Sequence, residues 1–207
     1  VQVLVADLAT EAGLDAVAEV CATRPLTMLV NNAGVAHYMP LAELPVAKAR
    51  ELVDVKVVAP TMLTRAALPG MLERGEGTII TVAGMIAFSG PAPHSAMPRR
   101  AVYAGALAHA VAMSQVLHAE LEPTPIRVQV VCPGVVATEF HSRQGWDLSS
   151  VPRMSAEEVV TASLRGLELG EAVCAPGVED TGLLEAVFQA DLAAFAGQSP
   201  ELATRYR

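Results

Sequence analysis

Leu26-Thr27-Met28-Leu29-Val30-Asn31-Asn32-Ala33-Gly34 is the stretch on which the fold turns. It is entered from Pro25, runs short and apolar over residues 26–30, and breaks off into two amides and two small residues. A short apolar run bounded by turn signals suits a strand buried on both faces, whereas a helix wants about ten residues or more. Small residues at the carboxyl end of such a strand leave the backbone open to close approach by a ligand.

Working outward, residues 1–6 read as another strand, with a helix over residues 10–22 between the two. Residues 77–82 and 126–132 supply two more strands, β-branched and bounded by Gly or Pro. Two long helices are expected, over residues 45–74 and 101–122. The first is bent where Pro60 and Pro69 remove backbone donors, and the second stops at Pro123. Ser155 and Glu158 are spaced as a capping box, each satisfying an orphan amide of the other's turn, and open a helix through Leu169. A last short strand over residues 172–174, a helix over residues 181–196 and a fraying tail complete the reading. Strands alternating with helices imply an α/β fold in which helices cover both faces of a parallel sheet.

With 207 residues, 52% hydrophobic and 17% charged, the chain is expected to form one domain over residues 1–207. A net charge of -8 and a pI near 5.1 argue against nucleic acid, whose binders carry basic stripes. No apolar run is long enough to span a bilayer, and residues 1–5 lack a basic leader region, so no membrane partner and a cytoplasmic location are expected. Cys21, Cys132 and Cys174 have no Cys-x-x-Cys spacing and apolar neighbours, which points to buried free thiols and no metal site.

Three motifs in order carry a family resemblance: Asp7-Leu8 after one strand, Asn31-Asn32-Ala33-Gly34 after the next, and Pro133-Gly134-Val135-Val136-Ala137-Thr138 after a later one, with Tyr103 between the last two. Together they resemble the short-chain dehydrogenase/reductase family over essentially the whole chain. The resemblance implies a Rossmann-like doubly wound parallel sheet, whose ligands bind beyond the carboxyl ends of the strands. It also implies NAD or NADP as cofactor and a small-molecule carbonyl or alcohol as substrate. By that likeness Asp7 and Leu8 would meet the adenine, Asn32, Ala33 and Gly34 would flank the adenosine ribose, and Pro133, Gly134, Val136 and Thr138 would cradle the nicotinamide and adjacent phosphate. Three residues of these motifs have a second reading. Asp7 suits a helix cap, and Asn31 and Asn32 read as buried amides tying neighbouring strands, the better reading for Asn31.

The family opens with a strand and a glycine-rich Thr-Gly-x-x-x-Gly-x-Gly turn that sets pyrophosphate on a helix N-terminus. The chain contains no such turn, and Gly75-Glu76-Gly77 is an acidic helix-to-strand loop. The sequence is therefore expected to be an incomplete member lacking the first β-α-β-α unit, with weak or absent cofactor binding if it begins at Val1. Residues 1–6 would then slide beside residues 26–30, pair with another chain, or remain an apolar edge.

The resemblance further implies a catalytic set of Asn, Ser, Tyr and Lys, the last two spaced four apart to share a helix face. Tyr103 is present, but Leu107 stands at the lysine position, Gly84 at the serine position and Lys56 at the asparagine position. Tyr103 and Lys56 are the candidate catalytic residues. Lys56 either supplies the lost cation from the opposite helix or snorkels outward. In or just before an insert spanning residues 91–100, His94 is a possible acid or base and Ser89 or Ser95 a replacement hydroxyl, whereas Arg99 and Arg100 read as solvated charges that alternatively meet an anion. His109 and His118 read as surface or packed residues, and Trp146 as either a packing anchor or a substrate wall.

Three functions remain open: hydride transfer between NAD(P) and a carbonyl or alcohol, impaired by the substitutions; a non-catalytic binding or oligomerisation protein; and a non-redox catalyst using Tyr103 as acid. The family likeness also implies a homodimer or homotetramer built on the two long helices.

Overall fold

The computed structural model describes residues 1–90, 92 and 97–207. Four strands, β1 (Met28–Asn31), β2 (Gly77–Val82), β3 (Ile126–Val131) and β4 (Val173–Cys174), pair in that order, and every pairing is parallel. Leu29 stands opposite Ile79, Ile79 opposite Val128, and Val131 opposite Cys174. Parallel strands need long crossovers, and helices supply them here. These are α2 (Val46–Val53) and α3 (Ala59–Arg74) between β1 and β2, α4 (Ala101–Leu121) between β2 and β3, and α5 (Phe140–Arg143) and α6 (Ala156–Leu169) between β3 and β4, while α1 (Glu11–Thr23) precedes β1.

Alternate residues of each strand serve opposite faces. Ile79 and Val128 join Cys21, Leu63 and Met71 in one cluster, and Val130 joins Leu52, Tyr103 and Leu107 in a second. One residue further on, Ile80 and Val131 pack with Leu167 and Cys174, beneath α6. The α/β class with helices on both faces is thus observed, as is the capping box, in which Ser155 Oγ accepts from Glu158 N–H while Glu158 Oε2 accepts from Ser155 N–H.

Residues 1–6 depart from expectation. They form no strand and pair with none, and Val1, Val3 and Val5 are exposed. A strand is defined by its partner's ladder, and this apolar run has not slid onto β1, whose Met28 and Val30 remain partly open at the sheet edge. The first long helix also differs. Residues Asp54–Val58 form a π turn between α2 and α3, closed by Ala59 N–H donating back to Asp54 O. Pro60, in the first turn of α3, has no N–H to give to the carbonyl four residues before it, which is that of Lys56. The widened turn meets that constraint without breaking the helix. Pro69 lies inside α3.

The chain divides into two compact units, Val1–Pro176 and Gly177–Arg207. The second carries α7 (Gly182–Ala196), on which no residue is buried and Leu183, Val187, Leu192 and Phe195 are exposed. No helix among the described residues is long and apolar enough to cross a membrane.

Candidate functional site

Beyond the carboxyl ends of β1, β2 and β3 lies a cleft of about 1110 Å³. Each strand delivers its own wall. Asn32, Ala33 and Gly34 follow β1, Gly84 follows β2, and Pro133, Gly134, Val136 and Thr138 follow β3. Lys56 from the π turn and Tyr103 and Leu107 from α4 line the same cleft. The structure thus brings together both candidate catalytic residues and seven of the nine candidate cofactor residues.

Asp7 and Leu8 are not among its lining residues. Asp7 is exposed, and its Oδ1 accepts from Ala9 N–H at 2.9 Å. Neither does it cap the helix: Thr10 does, accepting from Gly13 N–H at 3.2 Å. Leu8 lines a second cavity of about 180 Å³, together with Lys56, Ala33 and Leu107. Among the described residues Asn31 ties β1 to α3 and not to a neighbouring strand, donating from Nδ2 to Thr64 Oγ1 at 3.1 Å, while its buried Oδ1 has no partner there.

Lys56 does not snorkel outward. It is 7% exposed, and Nζ donates to Val82 O at 3.4 Å, a long bond to a neutral acceptor. Burial pushes its ammonium down to about 8, because an apolar surrounding disfavours the charged form. Gly34 makes the room: a Cβ there would overlap Lys56 Cε and Nζ. Tyr103 moves the other way. Its phenol is held well above its ordinary value, first by burial and then by Tyr38, whose hydroxyl shares a hydrogen bond with it. Leu107, at 1% exposure, offers it neither charge nor donor.

Tyr38 was not singled out by the sequence. Its ring meets Tyr103 edge-on at 5.4 Å and Trp146 at 5.3 Å. Trp146 therefore both packs on Tyr38 and lines the cleft. An isolated aromatic in a loop of small residues just after Gly34 was the available signal. Arg100 is also unlike its solvated reading. It is 6% exposed and donates to Ser89 Oγ at 2.9 Å, Ser89 O at 2.6 Å and Pro98 O at 3.0 Å. Its charge partly offsets the burial that raises Tyr38. Ser89 lines the cleft, but its hydroxyl is engaged by Arg100 and by Ile86 O. Arg99 is exposed, and His94 and Ser95 lie outside the described residues. The two helix histidines have structural partners, His109 with Thr61 Oγ1 and His118 with Val128 O.

Small-residue loops after successive parallel strands, one cleft across their ends and a buried tyrosine on the following helix agree with comparison to known proteins. Residues 1–147 match the family model described as short chain dehydrogenase. The chain belongs to the short-chain dehydrogenase family. It is 34% identical over 138 residues to the inactive 2-(S)-hydroxypropyl-CoM dehydrogenase 2 of Xanthobacter autotrophicus, covering 65% of this chain and 56% of that one. Among solved structures it is similar to a short-chain dehydrogenase from Sphingobium yanoikuyae in complex with NADPH, at TM-score 0.89 and 28% identity, covering 97% of this chain and 78% of that one. The bulky-bulky ketone specific alcohol dehydrogenase of Comamonas testosteroni gives a TM-score of 0.86 at 25% identity, covering 99% and 77%. The chain spans about half the length of the curated relatives it matches.

Proposed function

We propose that the protein carrying this chain is a nicotinamide-dependent reductase that works on apolar carbonyl compounds in the direction of reduction. The observation that carries the proposal is the state of Tyr103, which is buried, raised in pKa and without a cation at position 107. A phenol in that state stays protonated at neutral pH. It can donate a proton to a carbonyl oxygen as negative charge develops there, but it is a poor base for removing one from an alcohol.

The cleft fits the nicotinamide end of the cofactor. Its walls after β1 and β3 are formed by small residues, and a Cβ on Gly134 would meet nothing, so the backbone there is approachable. Asn32, Ala33 and Gly34 on one side and Pro133, Gly134, Val136 and Thr138 on the other would hold it, with Asp7 and Leu8 reserved for the adenine end. The cofactor supplies hydride when bound. Lys56 Nζ, whose one hydrogen-bond partner among the described residues is Val82 O, has donors left for the substrate oxygen or a ribose hydroxyl. Tyr103 provides the proton, and Tyr38, hydrogen-bonded to it, offers a route for its replacement. Phe140, Trp146 and Leu148 restrict water and favour an apolar substrate. A single domain over residues 1–207 and a homodimer or homotetramer belong to the same proposal. Exposed Met62, Leu72 and Val116 on the two long helices support the assembly.

The test is titration of NADPH and NADH into the protein, followed by cofactor oxidation with a panel of apolar ketones. Saturable cofactor binding with turnover is expected. A second reading, cofactor binding without turnover, is favoured by the sealed Leu107 and by a relative whose name calls it inactive. Binding without oxidation of either cofactor selects it.

A further inference from the structure

We infer that Lys56 is an amine nucleophile that captures an apolar aldehyde or ketone in the cleft as an imine, an activity separate from hydride transfer. The geometry is that of an amine held ready. The side chain is nearly sealed from solvent, its head group lines the cleft as well as the smaller cavity beside it, and a backbone carbonyl is its hydrogen-bond acceptor. Among the described residues no carboxylate pairs with it, and burial is the cause of its shift. The one carboxylate among the described residues lining the cleft, Glu139, is paired with Arg143. The other titratable groups there are Tyr38, Tyr103 and His141, none of which carries negative charge near neutrality. Burial alone therefore sets the proton affinity of Lys56, and near pH 8 about half of it is free amine. Desolvation in an apolar pocket is how lysine becomes a carbonyl nucleophile.

The step balances without a further reagent. Nζ of the free amine adds to the carbonyl carbon, and the carbonyl electron pair moves to oxygen, which takes a proton from Tyr103. One proton of the nitrogen returns to Tyr103, which passes it to the carbinolamine hydroxyl so that this leaves as water, and the iminium nitrogen gives its last proton back to Tyr103 as the neutral C=N product forms. Amine and carbonyl become imine and water, with no change in oxidation level.

The chain contains two lysines, which makes the test discriminating. Lys48 is half-exposed and pairs with Glu51 at 3.0 Å, so it serves as an internal reference. The protein is incubated at pH 8 with 2-octanone or benzaldehyde and sodium cyanoborohydride, without nicotinamide, and its peptides are mapped by mass. The expected result is a reduced adduct on the Lys56 peptide exceeding that on the Lys48 peptide by on the order of tenfold or more. Lys56→Arg, which keeps the charge but cannot form an imine, removes that adduct and leaves labelling of Lys48 unchanged. Equal labelling of the two lysines in the folded parent, or none on Lys56, overturns the inference whatever the variant does. Because the trap contains no nicotinamide, its failure leaves the reductase proposal standing. Absence of cofactor turnover likewise leaves the imine untouched.

Discussion

Leu107 on α4 and Lys56 on the π turn line one cleft and are almost equally sealed, at 1% and 7% exposure. Burial acts on them in opposite senses. Leu107 gains from it, joining Leu52, Tyr103 and Val130 in a packed cluster. Lys56 loses by it, and the loss appears as an ammonium that gives up its proton more readily. The family resemblance places a lysine where Leu107 stands and an asparagine where Lys56 stands. The chain thus has its lysine on the π turn, in a site that makes it a poorer cation and a more readily available free amine. Tyr103, between core and cleft, is left with a high proton affinity.

The largest effect that can test this contrast is on Tyr103 itself. Tyr103→Phe removes the hydroxyl while keeping the ring that meets Tyr38 edge-on. Carbonyl reduction should fall by about 10²- to 10⁴-fold in kcat, with cofactor affinity little changed. Steady-state kinetics and cofactor titration together check it. A loss below about threefold would mean that another group delivers the proton.

Leu107→Ala probes the apolar side. Removing the side chain from a fully packed position should destabilise the protein by about 2–5 kcal/mol, read from urea unfolding. A much smaller loss would show that α4 does not depend on Leu107 as an anchor, and the contrast with Lys56 would weaken.

Lys56→Met probes the polar side, and pH gives the sign. The lysine's ordinary value is 10.5, and in the fold it is about 8. Between these values the unfolded chain holds a proton that the folded chain has released, so this group makes the parent more stable as pH rises through the window. Below about pH 8 the whole burial penalty is present. Lys56→Met should accordingly be the more stable protein at pH 7, by an amount on the order of 3 kcal/mol at most, and its advantage should vanish towards pH 10.5. Cys132, Cys174 and Tyr103, all raised by burial, lower stability above their ordinary values of 9.0 and 10.0. They do so in both proteins and cancel in the difference. A difference independent of pH would place Lys56 in water.

How much of this was legible in the sequence follows the same division. Strands β1, β2 and β3 were readable because each is a short β-branched or apolar run between turn signals, and β4 because it closes a capped helix. The loops after β1 and β3 were readable because their motifs are contiguous. The direction of Lys56 was not readable. A π turn adds a residue to one helical turn and shifts the faces inferred from a 3.6-residue period, and its cause, a missing donor at Pro60, reads equally well as a bend. Residues 1–6 carry strand composition, but pairing depends on a neighbour that composition does not specify. Tyr38 and Arg100 escaped because loop contacts to Tyr103 and Ser89 span the chain without a period.

The smallest effect falls at Gly84, and it separates two accounts of what would limit the proposed reduction. Its φ of 165° and ψ of 158° are extended backbone open to any residue. A Cβ would meet Leu107 Cδ1 and Pro133 O at 3.5 Å, ordinary contact distance, so Gly84→Ser fits without displacing a neighbour. Restricting the unfolded chain should leave the variant unchanged in stability or stabilised by about 0.4–1 kcal/mol. The added hydroxyl lies on the cleft beside Leu107, at the position where the family resemblance places a serine that orients the carbonyl. If orientation limits the reaction, kcat/KM for apolar ketones should rise by about tenfold, less than the effect of an oxyanion donor because in the proposed reaction Lys56 would already supply one. If the rate is unchanged while the variant remains folded, the limit lies with the proton affinity of Tyr103. The contrast between Leu107 and Lys56, more than the missing hydroxyl, then sets what the cleft can catalyse.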